Sequence, residues 1–526
     1  MKAWFNIMRR YLFKSGSINT HQDAYFDVII AGAGLAGLYC ALSLPEKLSV
    51  ALITKGGFDT GSSWLAQGGI AAVTRDSDSF ESHIKDTLIA GAGHCDEKAV
   101  EVLVKEGPEA IKQMIALGVP FDRDKNGDII VTREGGHSCS RILHCGGDAT
   151  GKLMTKRLGE VAETRSNIKI IFESSVIDVL TDENGVCGVV INDKEGNHVL
   201  RSGNVVMSTG SIGQLYRYTT NPRGSVGDGI AACVRAGAKT RDMEFVQFHP
   251  TALAKGEIDG RMFLVSEAVR GEGGILQNLD GDPFMHDKHS LRDLAPRDIV
   301  TREILKELAR TNTDIAYLDV SCMNEEFFSK RFPTIYARCK ELDINVPHDR
   351  IPVHPTQHYH MGGVETDLNA RTCVPGLYAC GEVACTGVQG ANRLASNSTL
   401  ECLVFGKRAA DSIAADFRTV PAHSSVSLGQ DFGKDAPDAE TSKKYIAEMK
   451  NLMSDYVGPL RKVSGMKKAL ARLNEICALY ENADLCSNAQ YAAADASFVS
   501  AIITKCALDR KESIGSHYII GEDGTI

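Results

Sequence analysis

Residues 27–37 read Asp-Val-Ile-Ile-Ala-Gly-Ala-Gly-Leu-Ala-Gly, and this stretch decides the fold. The apolar run 27–31 predicts a strand, and the residues at 38–44 carry a helical pattern. A strand, a glycine-rich turn and a helix in this order are typical of the first unit of a Rossmann-like dinucleotide-binding domain. The fold class predicted from this stretch is therefore α/β.

The three glycines of the turn have separate physical roles. Gly32 permits the tight turn, Gly34 lets backbone N–H groups approach a pyrophosphate, and Gly37 lets helix and strand pack closely. The next predicted strand, at 49–54, is followed by Lys55. No acidic residue stands where an NAD site would bind ribose hydroxyls, which counts against a nicotinamide cofactor.

Further signals extend the nucleotide-binding domain along the chain. The segment 61–70 is polar and glycine-rich, which suits a loop that wraps a planar ligand; the alternative is a surface loop with a solvated serine pair. Apolar strands return at 205–210 and 376–383, after which glycine turns follow. The strand signals break off between them, over roughly 245–355, which indicates an inserted domain.

The domain prediction follows from that break. The nucleotide-binding domain comprises residues 25–244 and 355–420, and the inserted α+β domain comprises 245–354. Residues 421–526 form a C-terminal helical domain, in which 422–440 is a Ser-, Asp- and Pro-rich linker. Helical spacing over 443–480 and an amphipathic pattern over 488–508 predict a bundle of three helices.

Composition and charge exclude several classes of protein. The net charge of −9 and the absence of a long basic tract argue against a nucleic-acid partner. No window approaches the ~18 apolar residues of a membrane span. Fifteen cysteines without CxxC pairs suit reduced thiols in the cytoplasm. Cys139 with Cys145, and Cys380 with Cys385, could be metal ligands, but no metal site is predicted.

The N-terminal extension, residues 1–24, is basic and partly apolar, with no acidic residue before Asp23. It lacks the continuous apolar core of a secretion signal. We expect a mobile extension, and the alternative is an organelle-targeting segment.

Six motifs carry a resemblance to a known family. They are Ala66-Gln67-Gly68-Gly69, Gln247-Phe248-His249-Pro250-Thr251, Glu267-Ala268-Val269-Arg270-Gly271-Glu272-Gly273, Ala295-Pro296-Arg297-Asp298, His358-Tyr359 and Ala391-Asn392-Arg393. Through them residues 27–406 resemble the succinate dehydrogenase/fumarate reductase flavoprotein family, and within it the branch that oxidises L-aspartate. The resemblance implies FAD in the Rossmann-like domain and identifies the inserted domain as a mobile cap. It continues more weakly to His517, where Ile514 replaces the family's Arg, so the tail is given no catalytic role.

The resemblance also implies which residues contact FAD: the glycine turn, the loop at 61–70 and a few polar positions. They are Gly32, Ala33, Gly34, Leu35, Ala36, Gly37, Lys55, Ser62, Ser63, Trp64, Leu65, Ala66, Gln67, Gly68, Gly69, Asp228, Glu382, Ser398 and Thr399. Membrane-complex members link FAD covalently to a His at the position of Ser62, and Ser cannot form that bond. FAD is therefore expected to be non-covalent, which fits a fumarate-reducing or oxygen-reacting enzyme. Thr399 also departs from the family, which usually has Leu there.

The substrate site can be argued from charge. A C4 dicarboxylate in a partly dry pocket needs cationic, fork-shaped donors, and Arg297 and Arg393 supply them. His249 and His358 add donors whose charge can adjust near neutral pH, although a structural role suits either His alone equally well. By resemblance, His249, His358 and Arg393 bind the carboxylates. Gln247 and Ser266 are lesser polar contacts.

By resemblance, Arg297 is the proton-transferring residue. A guanidinium with a pKa above ~12 is a poor base near neutral pH, so this role requires a relay with neighbouring acids. Glu267 and Arg270, three apart and so on one face of a helix, match the family's relay. The alternative is that Arg297 only polarises a substrate carboxylate.

Glu134 lies in a loop where dehydrogenase members generally lack an acid. A carboxylate there would pair with a substrate ammonium group and would repel succinate, so Glu134 selects between the two. The alternative is a structural ion pair with Arg133 or Arg141.

The expected function is FAD-dependent oxidation of L-aspartate to iminoaspartate, with O2 or fumarate as electron acceptor. By resemblance this is the first step of NAD biosynthesis, and quinolinate synthase takes the imine. The alternatives are a soluble fumarate reductase or succinate dehydrogenase flavoprotein, and a non-catalytic FAD-binding electron-transfer or interaction subunit.

Overall fold

The computed structural model describes residues 11–13, 18, 24–419 and 432–524. The α-helices in these residues are α1 (Leu35–Ser43), α2 (Phe80–Ala90), α3 (Glu97–Ala116), α4 (Thr150–Thr164), α5 (Asp228–Arg235), α6 (Glu267–Gly271), α7 (Arg297–Thr311), α8 (Glu325–Arg331), α9 (Pro333–Glu341), α10 (Asn397–Ala415), α11 (Ala439–Tyr456), α12 (Val463–Tyr480) and α13 (Asn488–Asp509).

The β-strands are β1 (Ala24–Tyr25), β2 (Val28–Ala31), β3 (Val50–Ile53), β4 (Ile70–Ala71), β5 (Val131–Thr132), β6 (Ile142–Leu143), β7 (Ile168–Ile171), β8 (Ser175–Asp182), β9 (Gly185–Asp193), β10 (Gly196–Arg201), β11 (Val205–Met207), β12 (Thr240–Arg241), β13 (Val246–Leu253), β14 (Ile275–Gln277), β15 (Ala316–Asp319), β16 (Ile351–His360), β17 (Gly363–Glu365), β18 (Leu377–Ala379) and β19 (Ala384–Cys385).

A five-stranded parallel sheet in the order β18-β11-β2-β3-β7 forms the centre of the nucleotide-binding domain. All four residues of β2 are buried, as a parallel strand covered on both faces should be. The predicted α/β fold is confirmed. Helix α1 begins at Leu35, three residues earlier than predicted, because Gly34 at the end of the turn is already its N-cap.

Two glycines fix the turn between β2 and α1. Gly32 has a φ of +108°, and a Cβ on it would lie 2.2 Å from the carbonyl oxygen of Ser208. A Cβ on Gly37 would lie 1.9 Å from the carbonyl oxygen of Gly32. A side chain at 32 would collide with the backbone that follows β11, and one at 37 would push α1 away from the turn, so both positions require glycine.

The cap is built on a four-stranded sheet in the order β13-β16-β15-β14, with α6 to α9 packed around its own hydrophobic core. The predicted boundary between residues 354 and 355 falls inside β16. This strand pairs with β13 along its length and carries His358 from the cap sheet into the cleft. The cap therefore continues without a break into the strand that supplies the site.

The tail contains the three predicted helices, α11, α12 and α13. The expectation of an amphipathic third helix was wrong: α13 is buried on most of its surface because it packs against α5, α11 and α12. In the described part of the chain α13 alone has the length and hydropathy of a membrane span, but 72% of its most apolar window is buried inside the protein, as in a core helix. Most of the predicted linker, up to residue 431, lies outside the described residues.

Part of the N-terminal extension is packed on the protein. Leu12 donates its backbone N–H to Asp178 Oδ2 at 2.7 Å, and Phe13 is fully buried. The expectation of a mobile extension was therefore wrong for residues 11–13, because their apolar side chains cover β8 and β9. Apart from residues 18 and 24, the rest of 1–24 lies outside the described residues.

A buried charge cluster ties the tail to the nucleotide-binding domain. Arg235 at the end of α5 pairs with Asp178 on β8 at 2.6 Å and with Asp495 on α13 at 2.5 Å. Burial raises the pKa of Asp495 to about 7, and Arg235 opposes that rise. The Arg235 guanidinium group therefore allows two carboxylates to be buried at this interface.

Arg235→Met is expected to lower the free energy of unfolding by about 3 kcal/mol, because it leaves buried carboxylates without their cation. The control is Arg472→Met on α12, which removes ion pairs with the solvent-accessible Glu448 and Glu475 and should cost less than about 1 kcal/mol. Urea unfolding measures both. Equal losses would show that the Arg235 cluster is no more important than a surface pair.

Candidate active site

A cavity of about 1030 Å³ is lined by residues of the nucleotide-binding domain and of the cap. Every residue predicted to contact FAD lines it except Gly37, which packs α1 against the sheet. Seven of the predicted substrate and catalytic residues line the cavity as well. They are Glu134, His249, Ser266, Glu267, Arg297, His358 and Arg393. The structure thus brings the two predicted sites together in one cleft.

The cavity fits a dinucleotide. Helix α1 begins on its wall, and its N-cap, Gly34, has no side chain to cover the helix N-terminus. Ser63 Oγ accepts the first helical N–H, that of Leu35, at 3.0 Å, and the helix N-terminus beside it suits a phosphate. Gln67 Oε1 and Thr209 Oγ1 are buried on the cavity wall without a hydrogen-bond partner. Lys55, after β3, forms a 2.6 Å ion pair with Asp228. Ser62 lines the cavity with a hydroxyl that cannot carry the family's covalent flavin bond.

Glu382 is a buried carboxyl group on the same cavity. It accepts the backbone N–H of His360 at 2.9 Å, and burial raises its pKa to about 7. The pKa of Glu382 is higher in the folded protein than in the unfolded chain. Its contribution to the free energy of unfolding is therefore fully present below about pH 4.5 and is lost as the pH rises through about 7.

In the FAD-free protein, the difference in unfolding free energy between Glu382→Gln and wild type should therefore grow by about 2 kcal/mol from pH 5 to pH 8 in favour of the variant. Gln keeps an acceptor for His360 and cannot ionise. Denaturant unfolding at the two pH values measures the difference, with Glu440→Gln on the exposed face of α11 as the control. A difference that does not change with pH would contradict the expectation.

Two guanidinium groups of the cavity lining, those of Arg297 and Arg393, meet at the side chain of Gln247. Gln247 Oε1 accepts from Arg297 Nη1 at 3.0 Å and from Arg393 Nε at 3.3 Å. Gln247 itself lies behind these groups, outside the cavity lining, and its amide donates to Asn392 Oδ1 and the Arg393 carbonyl, each at 3.0 Å. Burial and the neighbouring Arg297 lower the pKa of Arg393 to about 10. Such crowding of like charges in a dry site favours a dianion between them.

The two histidines stand beside these cations with ring centres 5.1 Å apart. Burial and nearby arginines hold the pKa of each well below 6.5, so both are neutral near pH 7. The prediction that their charge adjusts near neutral pH was therefore wrong. His249 Nδ1 accepts the Thr251 N–H at 3.2 Å, which places its proton on Nε2, a buried atom without a partner. His358 Nε2 instead accepts from Arg393 at 3.1 Å. His249 is thus a free donor, and His358 orients Arg393.

Glu267 lies between two arginines. Its carboxylate contacts Arg297 Nε at 2.6 Å and Arg270 Nη2 at 3.7 Å, both on the cap. Arg297 and Arg270 together lower the pKa of Glu267 despite its burial. Arg270 lies behind Glu267 and outside the cavity lining, so the three charged side chains lead from the cavity into the cap.

Glu134 is buried and nearly unpaired. Ser396 donates to its Oε2 at 2.6 Å, whereas Oε1 has no hydrogen-bond partner. Burial raises its pKa, and Glu267 adds to that rise. The alternative ion pair with Arg141 is excluded because Arg141 pairs with Asp78 and Asp86, and in the described residues Arg133 makes no ion pair. The free carboxylate oxygen faces a cavity that otherwise attracts anions.

Three residues of the site were missed in the sequence. Ser396 has a φ of +63° and orients Glu134, and Tyr359 lies under Arg393 with its ring centre 4.4 Å from the guanidinium carbon. Asn392 holds Gln247. All three stood within or beside the family motifs, which was the only signal; their roles depend on contacts that spacing does not reveal.

No group of three or more His, Cys, Asp or Glu side chains is placed to hold a metal ion in the part of the chain that the structure describes. All fifteen cysteines are free thiols.

Two family models match the chain. The model of an FAD binding domain matches residues 27–399, and the model of the fumarate reductase flavoprotein C-terminus matches residues 446–520. Between them they cover both the cleft and the tail bundle.

Curated relatives are similar over nearly the whole chain. L-aspartate oxidase of Streptomyces coelicolor is 41% identical over 94% of this chain and 88% of its own length. L-aspartate oxidase of Neisseria meningitidis is 40% identical over 94% of this chain and 98% of its own length.

Solved structures share the fold. A variant of E. coli quinol fumarate reductase aligns with a TM-score of 0.88 and 31% identity over 96% of this chain and 92% of its own. The Mycobacterium smegmatis Sdh1 complex aligns with a TM-score of 0.80 and 31% identity over 95% and 89% of the two chains.

Proposed function

The chain belongs to the L-aspartate oxidase family of FAD-dependent, fumarate-reductase-like flavoproteins, and from this premise we propose that its cleft oxidises L-aspartate to iminoaspartate. The observation that carries the choice of substrate is the unpaired Oε1 of Glu134 in a pocket that otherwise offers cations to a diacid. When bound, FAD supplies the hydride acceptor for the substrate Cα–H.

The substrate carboxylates are held by the cationic end of the cleft. Arg393 and Arg297 offer guanidinium forks, and His249 Nε2 offers a neutral donor that no other group in the described part of the protein bonds. Ser266, the N-cap of α6, lines the same wall. These groups bind the diacid and orient its Cα.

Glu134 handles the amino group. Its carboxylate pairs with the substrate ammonium, and the pKa that burial raises makes it able to take the ammonium proton. Loss of that proton is needed because the nitrogen lone pair must stabilise the carbon from which hydride leaves. Glu134 therefore binds the amino group and activates it.

Arg297 and Glu267 serve the opposite half-reaction. When fumarate is the acceptor, a proton must reach the carbon next to the one that receives hydride. The chain Arg297, Glu267, Arg270 leads from the cleft into the cap. We assign proton transfer to Arg297 within this relay; polarisation of a carboxylate is its second role.

The electron acceptor in this proposal is O2, which gives H2O2, or fumarate, which gives succinate. The likeness to a fumarate reductase supports the second half-reaction in the same pocket. The imine product hydrolyses readily, so we propose its transfer to quinolinate synthase, in the first step of NAD biosynthesis. Free thiols throughout the chain support the cytoplasm as the proposed compartment, and the basic N-terminal residues are the feature that favours the alternative, organelle targeting.

Stoichiometry tests the proposal. Without oxygen, the FAD-loaded enzyme should form one succinate from fumarate for each L-aspartate consumed. In air and without fumarate, it should form one H2O2 for each L-aspartate consumed. Succinate replaces L-aspartate in the control reaction and should give no H2O2. Failure to consume L-aspartate under both conditions would contradict the proposal.

A further inference from the structure

Asp148, in the nucleotide-binding domain, is bonded to a helix of the cap. Its carboxylate is buried and accepts the backbone N–H of Thr334 at 3.1 Å from each oxygen and that of Ile335 at 3.0 Å. Thr334 and Ile335 form the first turn of α9. Asp148 thus supplies the carboxylate that a helix N-terminus prefers, but from the other domain.

Helix α9 has no cap of its own. Its N-cap residue is Phe332, which offers no side-chain acceptor, and Pro333 lacks an N–H. Within one domain the same task is done locally: Asp96 precedes α3 and accepts from Lys98 N and Ala99 N. The free N–H groups of α9 are therefore satisfied only while the cap lies against residue 148.

The backbone beside Asp148 is shaped for this contact. Gly147 has a φ of +73°, and a Cβ on it would lie 3.0 Å from the carbonyl oxygen of Arg331 and 3.2 Å from Cδ of Pro333. Arg331 Nη1 also donates to the Gly147 carbonyl at 3.4 Å. Two backbone segments from different domains thus meet so closely that a side chain at position 147 would strain the backbone and force the segments apart.

This contact bears on the catalytic groups because they are divided between the domains. Arg297, Glu267 and His249 are carried by the cap, whereas Glu134 and Arg393 belong to the nucleotide-binding domain. The substrate site is complete only when the two parts meet. Asp148 and Thr334 both line the same cavity, so the contact lies at its edge.

We propose that Asp148 is a positioning residue that latches the cap closed by capping α9 across the domain boundary. The latch keeps the cap-borne Arg297 and His249 opposite Glu134 and Arg393. Its effect on the kinetics rests on the proposed function, whereas the latch itself depends only on the hydrogen bonds between Asp148 and the first turn of α9.

Asp148→Ala should raise the KM for L-aspartate about tenfold and change kcat much less. Substrate binds the closed form, so a smaller closed population weakens apparent affinity, and saturating substrate restores closure. Asp148→Asn keeps the side-chain volume and one acceptor oxygen and should show a smaller rise in KM. Asp96→Ala, which removes a cap within one domain, is the matched control and should leave KM unchanged while lowering thermal stability.

Amide hydrogen exchange tests the latch without turnover. In Asp148→Ala loaded with FAD, the peptide that holds Thr334 and Ile335 should exchange faster than in wild type, and addition of L-aspartate should slow it again. Asp96→Ala should show no change in this peptide. If Asp148→Ala does not retain FAD, the comparison is made with Asp148→Asn.

Unchanged exchange at 334–335 together with an unchanged KM would overturn the latch. A wild-type protein that fails to oxidise L-aspartate would contradict the proposed function, but the exchange comparison would still decide the latch. The two failures are therefore distinguishable.

Discussion

Arg297→Leu is expected to lower turnover of L-aspartate by about four orders of magnitude, and fumarate reduction by at least as much. The substitution removes a buried fork that faces the substrate, and it breaks the bonds to Glu267 and Gln247 at 2.6 and 3.0 Å. Glu267 then lies buried with only Arg270, 3.7 Å away, as a cation. Both reactions lose binding and polarisation of a substrate carboxylate, and fumarate reduction also loses the proton relay, which is why both effects exceed that of one hydrogen bond.

Two variants on the same helix make this result specific. Arg297→Lys should retain more activity than the Leu variant because it keeps the positive charge. It should stay below the wild type because Lys lacks the fork that bonds to a carboxylate and to Glu267 at once. Arg310→Leu, on the solvent side of α7, removes an exposed arginine and should leave turnover unchanged. Steady-state assays in both directions measure the series. Turnover of L-aspartate by Arg297→Leu at the wild-type rate would refute the enzymatic role of the cleft.

Glu134→Gln is expected to lower kcat/KM for L-aspartate on the order of a thousandfold while fumarate reduction stays within about threefold. Gln keeps the volume and the acceptor for Ser396, but it leaves the substrate ammonium without a counter-charge and cannot take its proton. Fumarate has no amino group and should bind at least as well when the negative charge is removed.

The matched control for Glu134 is Glu272→Gln. Glu272 is an exposed acid that lines a small cavity of about 250 Å³ together with Glu134. Its variant tests whether loss of any nearby negative charge, without contact to the substrate, is enough to slow L-aspartate oxidation. It should alter neither reaction by more than about twofold. Fumarate reduction with a reduced dye and aspartate oxidation with O2 are compared for each variant. Equal losses on both substrates would return Glu134 to a structural role.

The nucleotide-binding half of the cleft could be predicted because its signals are local. A strand, a turn that only glycine can form and a helix lie within residues 27–44, and each depends on its neighbours in sequence. The loop at 61–70 and Lys55 follow the same logic, since the carboxyl ends of parallel strands share one edge of the sheet. The family motifs then placed the arginines and histidines in one site.

The rest depends on contacts that are distant in sequence. The sequence allowed an ion pair between Arg141 and Glu134, but in the fold Arg141 pairs with Asp78 and Asp86 instead. Burial, which spacing does not give, makes His249 and His358 neutral. The bond between Asp148 and residues 334–335 joins two domains, and the packing of residues 11–13 on β8 and β9 is equally non-local.

The central claim is that this cleft selects a diacid with an amino group. Its most direct test is an anaerobic titration of the FAD-loaded wild-type enzyme, followed by the flavin absorbance. L-aspartate should bleach the flavin, and succinate at the same concentration should leave it yellow. A flavin that stays yellow with L-aspartate and bleaches with succinate would contradict the account.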